Sequence, residues 1–302
     1  MITKDVQEFS RFAASCPPDF GPATARAAFL VSPDGFARAE ESARDNGYMA
    51  AASAFDAGAA LAQHRGLREA LASEVPVVCF LGDPAAPDGV FPNNVFGSAP
   101  RRLIVGRMRH PVRQREAGRA DIRALFTDEG YAVHDLSTQP HACELTGALV
   151  IDRARGLGWC GLSERCDEAG AALMHEAFGL RATLMFDLAP GEYHTNVVLA
   201  VLAGRAALVC PQGFADPAVP EAIQAVYAPH GIALSPAEQA AFAGNAISLT
   251  AGSVWMSARA AAALTARTRQ RLEAAGLAVR SVPLDAIEAA GGSLRCCVAE
   301  VF

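Results

Sequence analysis

The residues of this chain with the clearest chemical potential are two adjacent cysteines, Cys296 and Cys297, close to its last residue. They follow the pair Gly291-Gly292 and lead into a short apolar run. A glycine turn before a strand places a thiol at a sheet end, where it is held rigidly and can be reached. Because successive strand residues face opposite sides, only one cysteine can point at a given site. The pattern indicates a thiol nucleophile rather than a metal pair, and burial of both as small core residues is the alternative.

Similar polar clusters precede apolar stretches elsewhere in the chain, at residues 88–94, 144–147 and 193–196. They contain Asp88 and Asn94, then Glu144, then His194 and Asn196. Taken singly, each cluster is an ordinary turn, an exposed acid or a satisfied histidine. Their equivalent placement before successive strands makes them candidates for a single site.

A repeat of the predicted elements explains this placement. Two strands, a helix and a strand recur with a period of about 45–50 residues, which signals a repeat architecture. The predicted helices cover residues 51–71, 115–128, 167–178, 220–227 and 259–275. The predicted strands cover residues 26–33, 75–81, 90–98, 102–107, 131–136, 148–152, 158–162, 181–186, 196–203, 206–210, 232–234, 247–250, 254–257 and 278–283, followed by the cysteine stretch.

This order predicts an α/β fold of five ββαβ modules in a closed ring, with the helices outside. The terminal strand is expected to complete the first module, whose other strands lie near Phe29 and Val78. Residues 1–25 are predicted to form an irregular lead-in and residues 26–302 a single domain. An all-β propeller is excluded by the helices. An open doubly wound sheet is the alternative, although no glycine-rich phosphate loop follows a strand.

The composition limits the function. With 302 residues, 51% of them hydrophobic, and a net charge of −6, the chain can bury a large core and does not suit nucleic acid. Eight scattered cysteines and no apolar leader predict a reduced, cytoplasmic protein. The histidines and cysteines lack metal-ligand spacing, so neither a metal nor a cofactor is expected. No apolar run is long enough to span a membrane.

The motifs PDGVFPNN, YHTNVV and GGSLRC, with Glu144 to Gly147 between them, resemble those of the guanidino-group-modifying (pentein) superfamily. The likeness covers the chain from about residue 26 onward and is greatest to the citrulline-utilisation hydrolases. Arg113 in HPVRQRE and Arg165 in GLSERC are similar to the arginines with which dimethylarginine hydrolases bind an α-carboxylate. The resemblance implies the five-module α/β-propeller fold of that superfamily as a catalytic domain, and a small amino acid as the substrate.

The chemistry of such substrates asks for these residue types. A ureido or guanidino carbon is a poor electrophile, so it needs a strong nucleophile such as the Cys296 thiolate. His194 is expected to protonate the leaving nitrogen and to deprotonate the attacking water. Glu144 is expected to orient His194 or hold substrate N–H groups, and Asp88 to bind another substrate nitrogen. The remaining predicted contacts come from Asn94 and Asn196 in the polar ring and from Arg113 and Arg165 at the carboxylate.

The sequence therefore predicts a cysteine hydrolase that cleaves a C–N bond of a citrulline- or arginine-type amino acid through an S-linked intermediate. Arginine deiminases carry aspartates where this chain has Asn94 and Asn196, which favours a neutral ureido substrate. The alternatives are an arginine deiminase or dimethylarginine dimethylaminohydrolase, an amidinotransferase, and a catalytically silent binding protein of the same fold. Arg113 and Arg165 could instead form ordinary surface salt bridges. A homodimer is left open.

Overall fold

The computed structural model describes residues 1–52 and 54–302. Its strands, in chain order, are β1 (Ile2–Thr3), β2 (Ala27–Val31), β3 (Val77–Phe80), β4 (Phe96–Ala99), β5 (Arg102–Val105), β6 (Ala132–Asp135), β7 (Leu149–Asp152), β8 (Leu157–Leu162), β9 (Ala182–Asp187), β10 (Leu199–Leu202), β11 (Ala206–Val209), β12 (Gly231–Ala233), β13 (Ser253–Ser257), β14 (Ala278–Val282) and β15 (Ala299–Val301).

The α-helices are α1 (Val6–Ser15), α2 (Gly47–Ala50), α3 (Ala57–Leu71), α4 (Pro111–Gln114), α5 (Ala120–Asp128), α6 (Leu145–Ala148), α7 (Glu168–Phe178), α8 (Thr195–Val198), α9 (Ala218–Val226), α10 (Pro236–Ala240), α11 (Ala258–Ala263), α12 (Ala266–Ala274), α13 (Asp285–Glu288) and α14 (Leu294–Cys297). Short 3₁₀ helices cover Ser42–Arg44, Pro92–Asn94, Arg115–Gly118 and Pro211–Gly213. No helix within the described residues is long and apolar enough to cross a membrane.

Across the described residues the strands form five separate sheets, with the orders β1-β9-β8-β7, β10-β11-β12, β13-β14, β15-β2-β3 and β4-β5-β6. In three of them an antiparallel pair is followed by a helix and a parallel third strand, as in β4, β5, α5 and β6. A helix between the last two strands allows them to run parallel, since such a connection must cross the sheet. The fold is a mixed α/β fold.

The sheet that contains the last strand joins the two ends of the sequence. Strand β15 is antiparallel to β2, with Ala299 opposite Phe29, and β2 is parallel to β3, with Phe29 opposite Val78. The prediction that the terminal strand completes the unit begun near Phe29 and Val78 is confirmed. The segment that carries the cysteines is therefore held next to strands from the first part of the chain.

All four polar motifs form single helical turns rather than strand ends. The turns are Pro92–Asn94, α6, α8 and α14, and each lies directly before the first strand of a sheet, β4, β7, β10 or β15. The turn at Pro92–Asn94 contacts α6 and α14, and α6 contacts α8. The predicted strands over 90–98 and 196–203 were therefore too long at their first residues. The turns bring the polar motifs together at one place.

The prediction that Cys296 begins a strand is wrong, because it lies in α14. The amide N–H of Cys296 donates to the carbonyl of Ser293 at 3.0 Å, and that of Val298 donates to the carbonyl of Arg295 at 3.3 Å. Successive residues of a helical turn point about 100° apart, not in opposite directions. The two cysteines still face different surroundings, but the reason is the helical turn and not strand alternation.

Residues 1–25 are more regular than predicted. Strand β1 pairs in parallel with β9, and α1 begins after Asp5, whose carboxylate accepts hydrogen bonds from the amides of Gln7 and Glu8. Phe9 packs edge-on against Trp159 with ring centroids 4.8 Å apart. The lead-in is thus anchored to the sheet of β9, and only the stretch after α1 is irregular. A domain boundary at residue 25 stays a prediction.

Helix ends also differ from the predictions. The helix predicted over 51–71 is α3, which starts at Ala57 because Asp56 caps it, and Ser53 lies outside the described residues. The helix predicted over 259–275 is divided into α11 and α12, since Thr265 caps a second start. The strand predicted over 247–250 is reduced to a single bridge between Ile247 and Trp255. These are local capping effects that do not move the sheets.

The apolar core lies between the sheets and the helices that cover them. Its largest cluster joins β8, β9, β10, β11 and β12 to α1, α9 and α12, and Trp159, Leu208, Ile223 and Leu272 are fully buried in it. A second cluster packs α3 and α13 against the sheet of β2 and contains Cys297. Full burial of one such side chain contributes roughly 1.5–3 kcal/mol to the free energy of unfolding. It fixes the backbone from which the four turns project.

Candidate active site

A small, partly enclosed cavity of about 10 Å³ lies where the turns meet. Six of the predicted site residues line it, namely Asp88, Asn94, Arg113, Arg165, His194 and Cys296. The rest of its wall consists of Ser42, Asn46, Met49, Phe91, Tyr193, Ala290 and Gly292. Of the predicted residues, Glu144 lies behind His194 and Asn196 faces a neighbouring cavity.

His194 and Glu144 form a fully buried pair. The Nε2 atom of His194 lies 2.8 Å from Oε2 of Glu144, and both side chains have no exposed surface. Glu144 also accepts the amide N–H of Arg109 at 3.0 Å and an N–H of Arg165 at 3.3 Å. An ionised carboxylate only accepts, so Nε2 carries the hydrogen and Nδ1 is left with a lone pair. Within the described part of the chain, Nδ1 has no hydrogen-bond partner.

The electrostatics of this pair leave the imidazole neutral. Burial raises the pKa of Glu144, but the Arg165 guanidinium and His194 outweigh it and hold that pKa far below its usual range. Burial lowers the pKa of His194 below its ordinary value, and this outweighs the opposite effect of Glu144. At neutral pH the pair is therefore a carboxylate beside a neutral histidine, which is the state of a general base.

Gly147 allows two of the turns to approach each other closely. A Cβ atom at this position would lie 2.7 Å from Oδ1 of Asn94, 2.8 Å from Cε1 of His194 and 2.9 Å from its Nδ1. Real Cβ contacts below 3.0 Å essentially do not occur. Glycine at this position is therefore what permits Asn94 and His194 to share one wall of the cavity.

Cys296 and Cys297 have separate environments. The Sγ atom of Cys296 accepts a hydrogen bond from Nδ2 of Asn245 at 3.3 Å and lies 3.7 Å from Oδ1 of Asn196. The Sγ atom of Cys297 instead points back to the carbonyl of Ser293 at 3.5 Å and packs in the core. Burial raises the pKa of both thiols above the ordinary value. Of the two, Cys296 is the cysteine that faces the cavity.

Asp88 and Asn94 present unused polar atoms to the cavity. One oxygen of Asp88 accepts the hydroxyl of Ser42 at 2.5 Å, while Oδ1 of Asp88 and Oδ1 of Asn94 are buried with no partner among the residues described. Burial raises the pKa of the Asp88 carboxyl. A buried polar atom without a partner is costly, so both oxygens are positioned to accept from a ligand or water.

Both predicted arginines are buried and paired with carboxylates of the chain itself. Arg113 donates to both oxygens of Glu116 at 2.8 Å. Arg165 donates to both oxygens of Asp45, at 2.9 Å from Nε and 2.5 Å from Nη2. Each residue is only 2% exposed, so both arginines form salt bridges, as the alternative held, but buried ones and not surface ones. Binding of a substrate carboxylate stays a prediction.

The sequence argument missed several residues of the site, above all Ser42, Asp45 and Asn46, because no motif marks the stretch before α2. It also missed Tyr193, whose ring lies under the Arg165 guanidinium at 5.5 Å and whose hydroxyl donates to the carbonyl of Gly291. Asn245 was missed although the repeat could have revealed it. It falls about midway between Asn196 and Cys296 in the sequence and precedes an apolar run, as the other motif residues do.

No group of three or more histidine, cysteine, aspartate or glutamate side chains in residues 1–52 and 54–302 is placed to hold a metal ion. The donor set of the cavity consists of a thiol, an imidazole, amides and carboxylates. It suits proton transfer and nucleophilic attack by the protein's own groups.

Comparison with solved structures gives the class of the fold. The N-terminal domain of ArgZ, solved with a covalently bound reaction intermediate, superposes with a TM-score of 0.78 at 22% identity, covering 91% of this chain and 97% of that domain. Full-length ArgZ, an arginine dihydrolase of the cyanobacterial ornithine-ammonia cycle, matches at 22% identity with a TM-score of 0.79. That match covers 91% of this chain and 40% of ArgZ.

An adduct of a dimethylarginine dimethylaminohydrolase variant with S-methyl-L-thiocitrulline matches at 20% identity with a TM-score of 0.68, covering 91% of this chain and 99% of that one. These likenesses show that the chain shares the mixed α/β fold of those proteins. The search of curated proteins found no match.

The family follows from the sequence. The model of the eukaryotic N,N dimethylarginine dimethylhydrolases matches residues 32–302, and the chain belongs to that family. It is a hydrolase that acts on non-peptide C–N bonds. The recognition of this superfamily from the motifs is thereby confirmed, and so is the assignment as an enzyme.

Proposed function

We propose that the enzyme cleaves the ureido C–N bond of citrulline or a close derivative through a covalent intermediate on Cys296. The observation that favours this substrate is that the amide of Asn94 lies in the cavity wall together with an oxygen of Asp88 that has no partner among the described residues. A ureido group has N–H donors and a carbonyl acceptor, and an amide can serve both. A guanidinium has donors only, so it would leave the amide N–H unpaired.

Charge supports the same substrate. Burial raises the pKa of Asp88, so this carboxyl contributes less negative charge than an exposed aspartate would. Glu144, the strongest acid nearby, is already bound by Arg165, Arg109 and His194. The cavity therefore offers a cationic guanidinium less compensation than a cluster of free carboxylates. Asn196, the second asparagine on which the sequence prediction relied, lines the neighbouring cavity and does not bear on the charge offered to the substrate.

The proposed reaction begins with the Cys296 thiol and the His194 imidazole, both neutral. The Cys296 thiol passes its proton to Nδ1 of His194, and the thiolate attacks the ureido carbon. His194 returns the proton to the ornithine-type nitrogen, which leaves as the amine, and an S-carbamoyl cysteine is formed. Water, deprotonated by His194, then attacks this thioester-like carbon and frees Cys296. The carbamic acid breaks down to carbon dioxide and ammonia, so one water is consumed for each citrulline.

Arg113 and Arg165 are proposed to hold the substrate's α-carboxylate. The support is that Arg165 already binds one carboxylate through two hydrogen bonds, that of Asp45. Bidentate pairing of this kind suits a guanidinium fork. The segment that carries Asp45 also contributes Ser42 and Asn46 to the cavity wall. A substrate that uses Arg165 in this way must displace Asp45.

The five-module ring is part of the same proposal. The five sheets, the recurring order of strands and helix, and the meeting of the turns support it. In such a ring the first residues of each module face the axis. One central site then draws a residue from every module.

A second candidate substrate is arginine, because the structurally similar ArgZ is an arginine dihydrolase. Asp88 gives the cavity one acid that could bind a guanidinium, and Glu144 adds a second negative charge behind His194. Complete breakdown of arginine would require the same cysteine to act twice, first on a guanidinium and then on the resulting ureido carbon. The second half of that sequence is the reaction proposed above.

The test is to measure kcat/KM for citrulline and for arginine on the same purified protein across pH. We expect citrulline to be preferred, and Asn94→Asp to shift the ratio toward arginine. An arginine preference of about tenfold or more, equal to about 1.4 kcal/mol in transition-state binding, would overturn the argument from Asn94. Ammonia release should be measured together with the amine, because a deiminase would release ammonia from arginine and leave citrulline intact.

A further inference from the structure

Asn245 lies at the centre of the contacts behind Cys296. Its side chain has no exposed surface. Its Nδ2 atom donates to the backbone carbonyl of Asn196 at 2.8 Å and lies 3.3 Å from Sγ of Cys296. Its Oδ1 atom accepts the amide N–H of Arg295 at 3.0 Å. One amide therefore contacts the turn of His194, the turn of the cysteine and the sulfur itself.

The two amide hydrogens of Asn245 are each accounted for by these contacts. An asparagine amide has two N–H donors, and the backbone carbonyl of Asn196 takes one at good geometry. The remaining hydrogen has two acceptors in reach, the sulfur of Cys296 at 3.3 Å and, at the longer distance of 3.5 Å, Oδ1 of Asn196. A sulfur in a fully buried site has few other donors, so this N–H is the principal hydrogen bond by which the thiolate can be stabilised.

The backbone around Asn245 is fixed, which makes this contact a stable feature of the fold. A Cβ on the preceding residue, Gly244, would lie 2.5 Å from the carbonyl of Val197 and 2.9 Å from Sγ of Cys210. Only glycine permits this approach to the turn α8 and to Cys210. The amide is thus held from both sides and cannot turn away from the sulfur without breaking two further hydrogen bonds.

We propose that Asn245 is the positioning residue of the nucleophile: its Nδ2 N–H stabilises the Cys296 thiolate, and its Oδ1 fixes the turn that presents it. This inference rests on the proposed role of Cys296. A residue that only joined two turns would affect stability and leave the acidity of the thiol unchanged. A donor to the thiolate lowers the thiol pKa, so its removal shifts the pH at which Cys296 reacts.

The experiment is the pH dependence of Cys296 alkylation by iodoacetamide, followed by mass spectrometry on the intact protein without substrate. Two replacements separate the roles of the amide. Asn245→Leu removes both the donor and the acceptor and keeps the branching and the number of side-chain heavy atoms. Asn245→Asp removes the donor and keeps an oxygen for the Arg295 amide, but adds a negative charge. Ser248→Ala, in the same buried segment and with no hydrogen bond to the sulfur among the described residues, is the matched control.

We expect the apparent pKa of Cys296 to rise by about one unit in Asn245→Leu, so that alkylation near neutral pH slows about tenfold. The rise should be larger in Asn245→Asp and absent in Ser248→Ala. If the leucine variant fails to fold, the aspartate variant carries the test, since it keeps the bond to Arg295. An unchanged alkylation profile in either folded variant would overturn the proposal. Because alkylation needs no turnover, this result is independent of which substrate the enzyme uses.

Discussion

Replacement of Gly147 by alanine tests whether close approach of two turns positions the acid/base residue. The added Cβ would meet Oδ1 of Asn94 at 2.7 Å and the His194 ring at 2.8 and 2.9 Å, whereas ordinary contact begins at 3.4 Å. The ring or the amide must therefore move by about half an ångström or more. Catalytic groups tolerate roughly 0.5 Å, and a misplacement of about 1 Å costs about 10²-fold in rate.

We therefore expect Gly147→Ala to lower kcat/KM by about 10- to 100-fold, with a loss of stability of about 1–3 kcal/mol from overpacking. The assays are steady-state kinetics and thermal unfolding of the same preparation. Gly66→Ala is the matched control, because Gly66 lies in α3 with no atom within 4 Å of an added Cβ. It should keep full activity and gain up to about 1 kcal/mol from helix propensity. A folded Gly147→Ala protein with activity within about threefold of the parent would refute the reasoning.

Four further predictions concern the site. His194→Ala should lower the rate by at least about 10²-fold in steady-state assays, the usual contribution of a positioned acid/base. Burial lowers the pKa of His194, so the pKa that limits kcat/KM on the acid side should lie below 6.5, the ordinary value for histidine. Glu144→Gln should lower this limiting pKa further, because it removes a neighbouring negative charge. A limiting pKa above 7 would contradict this prediction. The free energy of unfolding measured in urea should fall as the pH drops below 6.5, because His194 takes up a proton in the unfolded state and excludes it in the folded state. It should fall further below pH 4.5, where Glu144 is protonated in the unfolded state but not in the folded state. Cys297→Ser should keep activity within a few-fold, because its side chain can still donate to Ser293.

The sequence was sufficient for the recurring order of strands and helix, for the strand partners of the last segment and for six of the thirteen residues that line the cavity. This worked because the repeat places polar residues before an apolar strand in successive units, and equivalent positions of a repeat meet in space. The pairing of β15 with Phe29 followed from the same reasoning. Burial of Glu144 and His194 was then a consequence of the strands around them.

Features that depend on tertiary contact could not be predicted. The turns that replace the expected strand ends arise from local backbone hydrogen bonds and from the packing of one turn on another. The bonds of Arg165 to Asp45 and of Arg113 to Glu116 join side chains whose partnership no motif indicates. Asn245 repeats the pattern of its neighbours, but a lone asparagine before an apolar run is common, and only its distance to Cys296 distinguishes it.

The most direct test of the account is to trap the intermediate on Cys296. Enzyme mixed with citrulline and quenched in acid during turnover should be digested and its C-terminal peptide fragmented, so that Cys296 and Cys297 are distinguished. The Cys297→Ser variant repeats the experiment with one thiol in that peptide. The account predicts a substrate-derived carbamoyl adduct on Cys296 in both proteins, and neither adduct nor turnover in Cys296→Ala. Turnover with an unmodified Cys296 thiol, or turnover by the alanine variant, would contradict it.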